Sequence, residues 1–403
     1  MNSPEPPFRL IVTGGGTGGH TYPALTAVRS LQARLAARGE ALQVLWVGTA
    51  SGLEARVAAS EGIPFAEVAT GKVRRSRNPL KLVSPANVKD MGRVPLGVAQ
   101  ARSIVSDFRP DVVLATGGYV AVPVGLAAKM CRRPLVVHEQ TVRLGLANRM
   151  LARAATRVAV SSDSTLPLLP DSAREAAVVT GNPVRPEVLT GHPGKAVDVL
   201  RPHGFAFDHA RPTVYVTGGA QGSQQINGLI LAVLPWLLAH ANVIHQCGPA
   251  NLLDLRSRVA GLPPALAARY HLTDYIGPEL PDVLALADVV VSRSGAGTIA
   301  ELTALGKAAV LIPLAASAGG EQAHNARHLH ESGAAIALLG EVTPARLQEA
   351  VAPLLADPRM RSGMAARARE HGRPDAAERL VDVVLSVAHR RRPAPPTGAF
   401  GPL

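Results

Sequence analysis

The stretch VTGGGTGGHTY, Val12 to Tyr22, sets five glycines between a short apolar run and a helical pattern, then places His20 directly against them. Backbone N–H groups of a glycine turn at a helix start can hold phosphate, and a histidine beside them can move a proton near neutral pH. The spacing Gly14-x-Gly16-x-x-Gly19 also satisfies the dinucleotide fingerprint, so a nicotinamide enzyme is the first candidate. Such a site wants an acid at the end of the second strand for the ribose hydroxyls. Here that strand, LQVLWVG, runs out into Thr49, Ala50 and Ser51, and Glu54 falls where the next helix should already have begun. The acid is missing at the expected place, and the oxidoreductase reading is set aside.

The elements that would carry such loops are repeated. IVTGGGTGG at Ile11 to Gly19 recurs as YVTGGAQGS at Tyr215 to Ser223. PDVVLATGGYVAVPVGLAA from Pro110 pairs with ADVVVSRSGAGTIAELTALG from Ala287, and RRPLVVHEQ from Arg132 with GKAAVLIPL from Gly306. Three strand-loop units in the same order predict an α/β chain of two doubly wound, Rossmann-like halves, because short β-branched runs alternating with helical stretches favour parallel βαβ topology. Strands buried on both faces explain runs such as Val289-Val290-Val291, which lack polar alternation. Ligands in such folds sit at the carboxyl ends of the strands, so all six loops are expected to face one central cleft. The spacing predicts an N-terminal tail over 1–8, a first domain over 9–185 with a hinge near Gly181 to Arg185, and a second over 186–375. The last helical pattern, 376–389, is a candidate to pack back on the first domain. The proline-rich end, 390–403, has the composition of a disordered tail.

Composition excludes several classes. A chain of 403 residues, 47% hydrophobic and 18% charged, is long enough for two cores. Two cysteines, Cys131 and Cys247, are too few for a disulfide framework or a thiolate metal cluster. The start MNSPEPPFRL lacks the pattern of a signal peptide, and the longest apolar run, Leu229 to Ala239, is broken by Pro235 and too short to span a bilayer. A soluble, cytoplasmic chain is expected. The net charge of +12 favours an anionic partner, but an aromatic content of 3% is poor for base stacking, so nucleic acid is not expected.

Five motifs, GGTGGH at Gly15 to His20, TGGY at Thr116 to Tyr119, HEQ at His138 to Gln140, GNPVR at Gly181 to Arg185 and SRSGAGTIAE at Ser292 to Glu301, fall in the order and approximate spacing of the MurG transferases. The chain resembles that family from Arg9 to about His389. The resemblance implies a GT-B glycosyltransferase that moves N-acetylglucosamine from UDP-GlcNAc onto lipid I, the muramyl pentapeptide pyrophosphoryl undecaprenol, making lipid II for peptidoglycan. The first domain would then face acceptor and membrane, and the second would bind the donor. A UDP-GlcNAc 2-epimerase, which shares fold and donor, is the alternative reading.

On that resemblance, Ala296, Gly297 and Thr298 open a helix whose N–H groups suit a diphosphate, and Glu301, one turn on, accepts from the ribose hydroxyls. Ala220, Gln221 and Gly222 form the second diphosphate loop; the family often has serine where this chain has Ala220. Arg185 reaches the nucleotide, Ile276 presents its backbone to the uracil, and Gln322 reads sugar hydroxyls. Glu321 precedes Gln322 where the family has a second glutamine, and Thr141 stands where asparagine is usual. Thr17, Gly18 and Gly19 are assigned to the donor as well. Gly15, Gly16, Gly117, Gly118, Tyr119, His138 and Gln140 are assigned to the acceptor.

A proton acceptor is needed for attack of a sugar hydroxyl, and His20 is the first candidate, with Glu139 its rival. The alternative is that His20 only hydrogen-bonds the acceptor diphosphate. No metal site is expected, since Asp274, Asp282 and Asp288 form no donor-loop pair and helix dipoles can take that task; magnesium is expected at most to assist by pairing with free phosphate. The basic stretch GKVRRSRNPLKLV, with Lys72, Arg74, Arg75, Arg77 and Lys81 interleaved with Leu80 and Leu82, is suited to anionic headgroups of the inner leaflet. A peripheral protein on the cytoplasmic side of the cell membrane is therefore expected, with other cell-wall synthesis proteins as candidate partners.

Overall fold

In a computed structural model, residues 6–71, 85–315, 317 and 320–389 are described, with side chains left aside at 85–92 and 389. The chain divides into two compact units, one running to Pro183 and resuming at Asp375, the other spanning Val184–Pro374. Each unit is built on one parallel sheet.

The first unit's sheet has seven strands in the order β3-β2-β1-β4-β5-β6-β7. Those that position the site are β1 (Phe8–Thr13), β2 (Leu42–Gly48), β4 (Val112–Ala115) and β5 (Leu135–Glu139), β3 (Phe65–Glu67) lying outside β2 and β6 (Arg157–Val160) and β7 (Ala177–Val179) outside β5. Both faces are covered. Leu10 and Val12 of β1 pack under the helix Gly18–Ala36, while Ile11 between them packs with Val113, Ala115 and Val124 on the opposite face. A strand that is apolar at every position is the result.

The helix Ala376–His389 belongs to this first unit. Leu380, Val381 and Val384 are buried in the core that also holds Leu31 and Leu35. Ser30 Oγ lies 3.2 Å from Glu378, and Arg34 pairs with Asp382. Asp375 pairs with Arg379 one turn on, at 2.7 Å, so it starts this helix and leaves the second unit.

The second unit's sheet has six strands in the order β10-β9-β8-β11-β12-β13. They are β8 (Thr213–Thr217), β9 (Asn242–Gln246), β10 (Tyr270–Thr273), β11 (Val289–Ser292), β12 (Ala308–Leu311) and β13 (Ile336–Ala337). Val184, expected in the first domain with Arg185, packs instead with Val188, Ile276 and Val290 of this unit's core.

In each sheet the chain order reverses next to the first strand, between β1 and β4 and between β8 and β11. Loops leaving the strand ends on either side of such a reversal separate and leave a crevice. The paired glycine motifs are the loops at these positions.

Candidate active site

In the first unit, the loop after β1 and the loop after β4 interlock. Gly15 N donates to Gly117 O at 3.3 Å, and Thr116 Oγ1 donates to His20 O at 2.9 Å. A Cβ on Gly14 would lie 1.8 Å from Thr116 Oγ1, and one on Gly118 (φ +84°) 2.4 Å from Gly15 O, so side chains at these positions would force the loops apart. Gly117 likewise leaves room for the His20 ring, which a Cβ there would approach to 3.0 Å.

Glu54 is where the sequence placed it, in the first turn of the helix Leu53–Ser60, but its fully buried carboxylate turns back to the glycine loop. It accepts from Gly16 N at 3.1 Å and from Thr49 N and Oγ1 at 3.1 and 2.7 Å. Burial works against its charge, yet the hydrogen bonds from the Thr49 side chain and from backbone N–H groups outweigh it and hold the carboxyl below its ordinary value. The N–H groups of Gly15 and Gly16, assigned to an acceptor diphosphate, are thus spent inside the unit. Thr17, Gly18 and Gly19 stand at the helix start, with no side-chain cap at Thr17.

The HEQ motif ends β5 and is buried. His138 Nε2 lies 3.0 Å from Gly181 O, and Gln140 Nε2 lies 3.0 Å from His138 Nδ1. Gln140 Nε2 also donates to Thr116 O at 2.8 Å and His138 O at 3.0 Å, and its Oε1 lies 3.0 Å from His20 Nδ1. Burial lowers the His138 pKa to about 4, with the Gly181 hydrogen bond opposing and His20 adding to the shift. Glu139 accepts from Thr141 N and Oγ1 at 3.0 and 2.8 Å on one oxygen, and from Gly145 N and Asn148 Nδ2 at 2.8 and 3.0 Å on the other. His138 and Gln140, assigned to the acceptor, and Glu139, the rival base, therefore have their polar atoms engaged by the protein. Of the side chains in the set, those of half-buried His20 and exposed Tyr119 reach the surface of the unit.

In the second unit, Ser223 caps the helix Gln224–His240 by accepting from Ile226 N at 3.2 Å, and the helix Ala296–Leu305 begins after Gly295 without a side-chain cap. Gly222 (φ +73°) must be glycine, because a Cβ would lie 1.8 Å from Cys247 O. Between these loops lies a cavity of about 460 Å³, lined by Gly218, Gly219, Gly222, Gly295, Thr298 and Gln322 among others. Ala220 and Gln221, between the lining residues Gly219 and Gly222, are exposed. Uncapped N–H groups at Ala296 and Gly297 give this place a positive potential.

Arg185 and Glu301, 116 residues apart, form an ion pair, with Arg185 Nε and Nη2 at 3.2 and 2.8 Å from Glu301 Oε1. Burial opposes the Arg185 charge, but the Glu301 carboxylate prevails and raises its pKa. Glu301 Oε1 is thus engaged before any ribose arrives. Ile276 is buried and its N–H donates to Gln246 Oε1 at 3.0 Å, so that this N–H is engaged within the unit. Gln322 Oε1 accepts from Leu314 N at 2.9 Å.

Arg293 was not singled out from the sequence. Its guanidinium donates to Ser223 Oγ at 2.6 Å, Gln225 Oε1 at 2.9 Å and the carbonyls of Ile312 and Pro313 at 3.1 Å each, tying together the loops after β8, β11 and β12. Its position inside the SRSGAG turn was the available signal. Among the described residues no group of three or more His, Cys, Asp or Glu could hold a metal ion, and no helix is long and apolar enough to cross a membrane. The basic residues Lys72, Arg74, Arg75, Arg77 and Lys81, with Leu80 and Leu82, lie outside the described residues.

Residues 10–160 match the glycosyltransferase family 28 N-terminal domain and residues 213–380 its C-terminal domain. A Listeria welshimeri protein named UDP-N-acetylglucosamine--N-acetylmuramyl-(pentapeptide) pyrophosphoryl-undecaprenol N-acetylglucosamine transferase is 35% identical over 383 residues, covering 94% of this chain and 99% of its own. A Desulforudis audaxviator protein of the same name is 36% identical over 387 residues, with the same coverage. The crystal structure of Acinetobacter baumannii MurG superposes with a TM-score of 0.71 at 26% identity, over 94% of this chain and 100% of that one. The UDP-GlcNAc 2-epimerase of Neisseria meningitidis, at 15% identity and a TM-score of 0.62 over 94% of this chain and 99% of its own, shares the fold. With paired glycine loops at both strand-order reversals and relatives matched over nearly their whole length, the chain belongs to the MurG family of glycosyltransferases.

Proposed function

We propose that this protein transfers N-acetylglucosamine from UDP-GlcNAc to the 4-hydroxyl of the muramyl sugar of lipid I, giving lipid II and UDP. The observation that carries the reading is the match to transferases of that name over 94% of the chain. The second unit supplies a suitable donor site, with the diphosphate at the N-terminus of the helix Ala296–Leu305, the ribose at the open oxygen of Glu301 and the sugar hydroxyls near the Gln322 amide. The first unit supplies the base. As the 4-hydroxyl oxygen attacks the anomeric carbon, His20 takes its proton and UDP leaves with the bonding electrons, in one inverting displacement. Helix-start N–H groups stabilise the departing diphosphate, so no metal is required, and magnesium acts at most on free phosphate.

Incubation with UDP-GlcNAc and a lipid I analogue should release UDP only when the acceptor is present. Conversion of UDP-GlcNAc to UDP-N-acetylmannosamine, with no acceptor and no UDP released, would instead support the epimerase reading. The protein is proposed to work peripherally on the cytoplasmic leaflet, its segment 72–82 against anionic headgroups. Replacing Arg74, Arg75, Arg77 and Lys81 with glutamine should then weaken sedimentation with anionic vesicles by up to about 1 kcal/mol per charge, and undiminished sedimentation would refute that role.

A further inference from the structure

The hydrogen bonds around the HEQ motif can be written in only one direction. Gln140 Nε2 faces two carbonyl oxygens, Thr116 O at 2.8 Å and His138 O at 3.0 Å, and carbonyls only accept. The amide cannot be flipped without setting its oxygen against both. His138 leads to the same orientation from its other side. Its Nε2 faces Gly181 O at 3.0 Å and so carries the proton, which leaves Nδ1 as a lone pair; the two hydrogens of Gln140 Nε2 serve this nitrogen, at 3.0 Å, and Thr116 O, while His138 O also receives Asn148 Nδ2 at 3.0 Å. The depressed His138 pKa, about 4, keeps that ring neutral at physiological pH. Gln140 Oε1 is thereby turned toward His20 Nδ1 at 3.0 Å, as an acceptor.

We infer that Gln140 is a positioning residue that holds His20 in the Nδ1–H tautomer, presenting the Nε2 lone pair as the proton acceptor for the sugar hydroxyl. The inference deepens the proposed reaction and rests on it for the role of the lone pair, though not for the tautomer. It also separates the two roles open to His20. A base needs the Nε2 lone pair, whereas a ring that donates to a diphosphate must carry a proton there. Thr116 serves both ends of the arrangement, its carbonyl holding Gln140 and its hydroxyl holding His20 O at 2.9 Å.

The test uses the full chain labelled with 15N at histidine, with His20 assigned by its loss in His20→Ala. At neutral pH its ring should show a protonated Nδ1 and an unprotonated Nε2, and a protonated Nε2 in the unsubstituted protein would overturn the inference without any variant. Gln140→Met, close in shape but without the amide, should give a mixture of tautomers and lower kcat by about 10-fold or more, with donor and acceptor KM within about twofold. Placed on His20→Ala, the same substitution should cost nothing further, and an equal loss there would show that Gln140 acts elsewhere. Should His20→Ala itself keep kcat, the base assignment fails while the measured tautomer still decides the Gln140 inference.

Discussion

At the scale of residues, His20→Ala removes the proposed base, and its loss should fall on kcat, as steady-state kinetics can read. HEQ announced three polar side chains at a strand end, yet nothing in the triplet said that His138 and Gln140 would turn inward to one another, or that Glu139 would be consumed by Thr141, Gly145 and Asn148. Strand alternation fixes which face a side chain leaves from, and the partners on that face come from distant segments. Glu301 shows the same limit: its helix position was legible, but its pairing with Arg185 was not. Two outcomes follow at this scale. His20→Ala should lower kcat by roughly 10²- to 10⁴-fold with acceptor KM little changed, and steady-state kinetics in which the loss sits in KM would make His20 a binding group. Glu301→Ala should weaken UDP-GlcNAc binding by about 1.5 to 3 kcal/mol, since a charged acceptor is lost and Arg185 is left unpaired; calorimetry giving an unchanged Kd would remove Glu301 from the donor site.

Among elements, the strand-loop-helix repeats were the most legible part, because both sheet faces are buried and apolar runs without alternation mark such strands. The return of the chain to its first unit was visible only as an amphipathic pattern left over after the second repeat. Its destination is set by packing: Leu380 is fully buried among side chains of the helix Gly18–Ala36 and the β1 face. Leu380→Ala should destabilise the first unit by about 2 to 5 kcal/mol. In a urea titration the transition of that unit should move to lower denaturant, and a superimposable curve would show that the helix contributes little. Glu54 was read only as falling where the next helix should already have begun, not at the strand end; the first turn of a helix points its side chains back toward the preceding loop, which is why the carboxylate reaches Gly16 N.

For the molecule as a whole, each unit buries a neutral histidine, and the two together make the protein sensitive to mild acid. Burial lowers the pKa of His138 to about 4 and that of His245 to about 3, against an ordinary 6.5. In the unfolded chain both take up protons near 6.5, so the unfolded state binds more protons and stability is lost as pH falls from there toward the folded values. Glu54, whose pKa is lowered from 4.5, loses its contribution only below that range, so a comparison of pH 7 with pH 5 isolates the histidines. The urea midpoint should drop over this interval and drop less in His245→Asn; an identical slope in the variant would reject the assignment. The buried carboxylate of Glu54 has a different consequence for the whole chain. Two turns of matching sequence stand at the two strand-order reversals, but one already holds a negative charge of its own, 3.1 Å from Gly16 N. A nucleotide laid across that turn would set its phosphates beside a like charge, while the corresponding turn at Gly218 to Gly222 opens on a cavity. The duplicated turns are thus unequal in charge, and titration calorimetry with UDP should give one nucleotide to each chain; a second would show that the turn beside Glu54 takes one as well.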